Sequence, residues 1–255
     1  PAFGWRAMFL FAAVPALVVL PIRVFVTDEP APRAARERSA SRSPFAGLGA
    51  PGVPVMLVLG ALAAALGFIV YYGLTSQYTL MLLTELHLDA RTAFSLVILF
   101  NVGMLVGVIA PGFVASRFGV IAALVTPALL MVPFLPLFVG WAPGLLGVGA
   151  FLGGALGVGY SGVTPVLTTS LFAPEIRARA IGVVYHLGAL LAAFVPWAIA
   201  ELSAHAHVPL STVIAAVAAV GLVGMSATVL ALRHRLVPGE PARPHVAVEL
   251  DTLAA

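Results

Sequence analysis

His186 is the histidine of this chain that stands deep inside an apolar run, about six residues or roughly 9 Å from the run's start at 1.5 Å per helical residue. An imidazole at that depth either carries a proton and donates to a substrate, or makes a hydrogen bond that holds two helices together. Asn101 lies about nine residues into its own run, roughly 13 Å, near the depth at which transporters hold their substrates. Asparagine also joins helices without any ligand, so both roles are open to it. On an ideal helix Tyr71, Thr75 and Tyr78 share one face, with Tyr72 and Thr79 on its edge, whereas Gln77 points away. A polar stripe in a membrane helix must face protein or a wet cavity, and two turns of it favour a cavity. Gly149, Gly153 and Gly157 recur at spacing four and continue to Ser161, a pattern for close helix packing. Gly103 and Gly107 read the same way, and Tyr160, Thr164 and Thr168 follow close to the face of the longer row. The candidate substrate-binding set is therefore Tyr71, Tyr72, Thr75, Tyr78, Asn101, Tyr160, Thr164 and His186, and His186 is the candidate for proton coupling.

Other chemistries lack their residues. There is no cysteine, which removes disulfides, thiol nucleophiles and thiolate metal sites. His205 and His207 stand alone in a loop rather than in a metal-ligating cluster. No glycine loop leads to a phosphate-binding lysine, and lysine is absent altogether. No Ser/His/Asp set sits at membrane depth. The expectation is a binding protein with no cofactor and no metal, and not an enzyme.

Seven apolar segments must position these residues: Ala7–Val26, Val53–Tyr78, Thr92–Val114, Val120–Val139, Gly144–Leu171, Ala180–Leu202 and Leu210–Leu232. The chain has 255 residues, 61% hydrophobic and 9% charged, against about 45–50% and about 25% in soluble domains. That excludes disorder, a nucleic-acid partner and an ordinary soluble enzyme. The segments are apolar all round and most are too long for strands, so they read as helices in a lipid bilayer. Thr27–Gly52, rich in Pro, Arg, Ser and Ala, reads as a mobile linker, and the proline-bearing end from Arg233 as a solvated tail. The chain begins at Pro1, which implies processing or a piece of something longer. Nothing basic precedes Trp5 and no small-residue cleavage site follows the first run, so that run reads as a membrane span and not as a secretory signal. Alternate gaps place every arginine except Arg6 and Arg91 on one side, so the linker and tail are expected in the cytoplasm. Asp89 and Thr92 are placed to cap the third segment, and Glu175 and Arg179 to pair at i, i+4.

Three stretches resemble the major facilitator superfamily. Gly4-Trp5-Arg6, with the helix that ends in Arg23, Asp28, Glu29 and Pro30, resembles that family's sixth span. Gly112-Phe-Val-Ala-Ser116-Arg117-Phe-Gly119 resembles its short loop between spans eight and nine. Pro174-Glu175-Ile-Arg177-Ala-Arg179-Ala-Ile-Gly182 resembles the loop between spans ten and eleven. The family's loop usually has an acid before the arginine and basic residues after the last glycine, where this chain has Ser116, Val120 and Ile121. Gly4-Trp5-Arg6, Leu74-Thr75-Ser76-Gln77 and Tyr185-His186-Leu187-Gly188 are similar to the branches that move organic acids with protons.

The resemblance implies an all-α integral membrane protein of seven spans, the last six forming one six-helix bundle of a major facilitator fold. It divides the chain into a last helix of an N-terminal bundle (1–26), an inter-bundle cytoplasmic linker (27–52), a C-terminal bundle (53–232) and a cytoplasmic tail (233–255). Arg117, Gly119, Glu175, Arg177 and Arg179 become gating-loop residues. The implied function is secondary active transport by alternating access in a cytoplasmic membrane: proton symport of a small organic anion, with the binding arginine and proton-carrying acid in an absent first half. The alternatives are a drug or sugar carrier of the same fold and a non-transporting membrane sensor or assembly subunit. The expected partners are lipid, the substrate, a coupling proton and the other bundle.

Overall fold

Backbone polar groups have no water to bond in a bilayer, so each apolar run must satisfy its own amides as helix. The computed structural model describes residues 45–235 and scattered positions between Phe9 and Pro21, which are helical. The remainder of the expected Ala7–Val26 span, the linker up to Pro44 and the tail beyond Arg235 lie outside the described residues. Residues 1–44 and 45–255 form separate units. Six helical spans of the second unit are long and apolar enough to cross a membrane: Val53–Thr84, Ala90–Phe118, Val120–Phe138, Pro143–Ser170, Pro174–Ala206 and Leu210–Arg235. The described residues are helix and turn, with no strand.

Four of the spans are broken where the sequence pattern reads as continuous. The first is α1 (Val53–Thr75) and α2 (Tyr78–Thr84), parted at Ser76-Gln77. Next come α3 (Ala90–Phe118), then α4 (Val120–Met131) and the short α5 (Leu135–Phe138), joined by a 3-10 turn at Val132–Phe134 that contains Pro133. The fourth span is α6 (Leu146–Ala155) and α7 (Thr164–Ser170), with a 3-10 turn at Gly159–Gly162 between them. α8 (Pro174–Ala192) and α9 (Val195–Ala206) part just before Pro196, and α10 (Leu210–Leu232) is unbroken. Proline removes a helix hydrogen bond, and glycine lowers helix stability by about 1 kcal/mol relative to alanine, which accounts for three of the four breaks. At Ser76-Gln77 there is neither. There the Thr75 hydroxyl donates to the Tyr71 carbonyl at 2.7 Å, and Gln77 turns its amide away from the helix, so polar side chains compete with the helical ladder.

α1 packs between α8 and α10, and α3 packs along α6. The α3–α6 seam is made by small residues. A methyl group added to Gly103 would stand on the Phe151 carbonyl, and one on Gly107 on the backbone of Ala155. Gly149 and Gly153 serve the packing role expected of them, against the Leu137–Phe138 backbone and the Phe138 ring. The row does not extend to Ser161, however, because the α-helix ends at Ala155 and Ser161 sits exposed in the 3-10 turn.

The loops are tied end to end. At one end the Glu85 carboxylate accepts from the Ser211 amide at 2.9 Å and from the Ser211 hydroxyl, joining the end of α2 to the start of α10. Asp89 caps α3 as expected, accepting from the Thr92 amide at 3.1 Å and the Thr92 hydroxyl at 2.6 Å. At the opposite end Arg179 donates to the Ala46 carbonyl at 3.2 Å, and Leu48 is buried in the core. Residues 45–52, expected within a mobile linker, are thus a series of turns docked on α8. Glu175 and Arg179 do not pair. The docked turn offers Arg179 a carbonyl, and the ion pair among the described residues is His205–Glu201 at 3.2 Å.

Candidate functional site

The break in the first span sets the site. Above it, α1 turns Tyr71 and Tyr72 toward a chamber of about 500 Å³ whose walls also carry Phe68, Tyr160, Thr164 and Tyr185. Below it lies a side pocket of about 160 Å³, walled by Tyr71, Thr75, Tyr78 and Thr79 from the first span and by Asn101 and Met104 among others from α3. Tyr71 and Met104 belong to both walls, so they stand where the two spaces adjoin. The chamber falls within the size range of small-molecule sites. No carboxylate, imidazole or guanidinium among the described residues lines either space.

Each hydroxyl has a stated partner or lacks one. Tyr160 is buried and donates to the Gly67 carbonyl at 2.5 Å, which pins the 3-10 turn to α1. Thr164 donates to the Tyr160 carbonyl at 3.1 Å, and Thr168, also on the chamber wall, donates to Pro165 at 2.9 Å. Asn101 gives one amide hydrogen to the Val97 carbonyl at 2.7 Å within its own helix, leaving its second hydrogen and its oxygen for the pocket. Tyr78 is 2% exposed, stacked on Phe138 at 4.3 Å and beside Phe100 at 5.8 Å, and its hydroxyl has no hydrogen-bond partner.

The stripe read from helical spacing is therefore real, although it crosses a break: Tyr71, Thr75, Tyr78 and Thr79 meet Asn101 on one wall. Tyr72, Tyr160 and Thr164 gather on the chamber instead. His186 lines neither space. It is exposed on α8, with Nδ1 2.7 Å from the Gly182 carbonyl and its ring edge-on to Tyr185 at 5.9 Å. Spacing alone missed Phe68 and Tyr185, whose rings meet edge to face at 5.0 Å. The available signals were Phe68 one turn before Tyr72 and the Tyr185-His186 dipeptide, in which one residue of rotation decides which ring faces inward.

Among the gating-loop residues, Gly119 alone connects α3 to α4, at φ 86°, a backbone setting that disfavours side chains. Arg117 lies in the last turn of α3 with its guanidinium 5.9 Å from the Phe118 ring. Arg177 donates to the Phe172 carbonyl at 3.2 Å, and Glu175 occupies the first turn of α8. They do not form one cluster with the chamber.

The model of the Major Facilitator Superfamily matches residues 1–116. The cis,cis-muconate transport protein of Acinetobacter baylyi (strain ATCC 33305 / BD413 / ADP1) is 27% identical over 223 residues, covering 84% of this chain and 54% of that protein. The chain is thus similar to the major facilitator superfamily over its first 116 residues, and to one transport protein over most of its length. It spans about half the length of the curated relative it matches. No solved structure matches it. Both similarities agree with the six membrane-capable spans of the described residues, and both are to transport proteins of the membrane.

Proposed function

We propose that this chain is the C-terminal part of a proton-coupled symporter that moves a small organic acid by alternating access. In this reading residues 1–26 are the last helix of an N-terminal bundle, 27–52 the inter-bundle linker, 53–232 the transporting bundle and 233–255 its tail. The arginines at 117, 177, 179, 233 and 235 then face the cytoplasm and Arg91 the opposite side, which fits the positive-inside rule in an inner membrane. The loop ties support this alternation. Glu85 with Ser211 joins two outer ends, and Arg179 with Ala46 joins two inner ones.

The chamber carries the substrate reading: a space of about 500 Å³ walled by phenols and hydroxyls, in a chain similar to a muconate transport protein. Phe68, Tyr71, Tyr72 and Tyr185 offer ring faces to an unsaturated carbon skeleton, and hydroxyls give direction to its polar ends. No cation of this bundle faces the chamber, so the positive partner of a carboxylate belongs to the other bundle. His186, with Nδ1 engaged by Gly182 as an N–H donor, keeps Nε2 to take a proton. Its neighbour Tyr185 is on the chamber wall, which suits His186 as a relay between the helix surface and the chamber.

Uptake of labelled cis,cis-muconate and shorter acids by cells expressing the full-length protein tests the reading. Uptake that a protonophore abolishes is expected. Uptake of sugars or drugs but not acids transfers the fold to another cargo, and no uptake of any solute favours a non-transporting role.

A further inference from the structure

The side pocket holds a feature that packing does not explain. A buried hydroxyl without a partner is costly, by about 1–3 kcal/mol, and Tyr78 presents one where phenylalanine would stack equally well on Phe138 and Phe100. The Tyr78 side chain is part of the wall of a space of about 160 Å³, ample for several polar atoms, with its hydroxyl buried in that wall. Across that space Asn101 has a free amide hydrogen and a free oxygen, Thr79 brings a hydroxyl, and the Thr75 oxygen retains lone pairs after donating to Tyr71. This is a set of neutral donors and acceptors that suits a group which both donates and accepts.

The groups facing the pocket decide its charge preference. Its titratable members are the phenols of Tyr71 and Tyr78. α3 contributes Val97, Phe100, Asn101 and Met104, and the adjoining Phe138 of α5 is apolar. An ionised carboxylate moved there loses water without gaining a cation, whereas an undissociated carboxylic acid keeps hydrogen bonds in both directions.

We infer that the side pocket beside Tyr78 and Asn101 binds one carboxyl end of the transported acid in its protonated, uncharged form, so that the coupling proton travels on the substrate itself. The inference rests on the organic-acid reading above. The balance is simple: the substrate carboxylate takes one proton, originally from water on the entry side, becomes a carboxylic acid whose O–H donates within the pocket, and returns the proton to water on the exit side. His186 acts as the relay and is not the proton's resting place.

The test is calorimetric binding to the full-length protein, with cis,cis-muconate and its uncharged diamide as probes, across the neutral pH range. The acid should bind about tenfold more weakly for each pH unit gained above its own pKa and take up one proton per molecule, while the diamide binds without pH dependence. Tyr78→Phe should weaken both by about tenfold or more without lowering thermal stability, because the hydroxyl it removes bonds nothing in the protein. Acid binding that is independent of pH, or full affinity in Tyr78→Phe, overturns the inference and leaves organic-acid transport standing. Failure of acid and diamide to bind at any pH removes the substrate class, and the inference with it.

Discussion

Gln77 Nε2 donates to the Pro196 carbonyl across 3.1 Å, and in doing so it links the break in the first span to the break in the fifth. Both helix pairs carry wall residues of the chamber: Tyr71 and Tyr72 on α1, Tyr185 on α8. A bond between two bends transmits a change at one to the other. Gln77→Leu should lower stability by about 0.5–1 kcal/mol, the usual range for one such bond, and slow uptake more than that loss explains. Thermal unfolding alongside uptake checks it; unchanged uptake with unchanged stability contradicts the linkage.

The α3–α6 seam depends on the absence of side chains. Gly107→Ala places a methyl group on the Ala155 backbone, and overpacking of this kind costs about 1–3 kcal/mol. Gly112→Ala, on the same helix with nothing within 4 Å of the added carbon, is the matched control and should be neutral to slightly stabilising. Melting temperatures of the two variants in detergent should separate clearly.

The cap on α3 gives a pH signature. The Thr92 hydroxyl and then the Thr92 amide hold the Asp89 carboxyl below the ordinary carboxylate range. A carboxyl depressed in the folded state contributes stability that is present above its unfolded pKa, about 3.9, and is lost as pH falls through the lower folded value. Asp89→Ala should therefore be less stable than the parent at neutral pH, and the difference should close in strong acid. A difference that persists unchanged into acid contradicts the cap's role.

His186→Ala should abolish proton-coupled uptake while the protein remains folded in the membrane, since the side chain is exposed and bonds only within its own helix. Uptake with its pH dependence unchanged removes His186 from the pathway.

How much of this was readable in advance divides along physical lines. Apolar length alone places seven spans, six of which are the membrane-capable helices of the described residues, and the Asp89–Thr92 cap and the Gly103, Gly107 and Gly149 contacts follow from local spacing. The breaks do not, because whether Gly157 or Pro196 ends a helix or bends it depends on which neighbour satisfies the freed groups. The Tyr71–Tyr78 wall was legible despite its break, since a short interruption at Ser76-Gln77 preserves the facing. The docking of residues 45–52 was hidden, because the glycines and proline of that stretch look solvated until Arg179 and Ile176 are brought against it.

Sidedness can be read cleanly, because the chain has no cysteine. Ser116→Cys and Ala206→Cys, at opposite ends of the bundle, should react with a membrane-impermeant maleimide from opposite sides: position 206 in intact cells, position 116 only after lysis. Labelling of both from one side contradicts the span count.

The central claim is that organic acid and proton move together, and it is tested most directly by the full-length protein in sealed liposomes holding a pH-sensitive dye, with no imposed pH gradient. Adding cis,cis-muconate outside should acidify the lumen in step with entry of the labelled acid, and a protonophore should dissipate that acidification. Entry of the acid with no change in luminal pH contradicts the account.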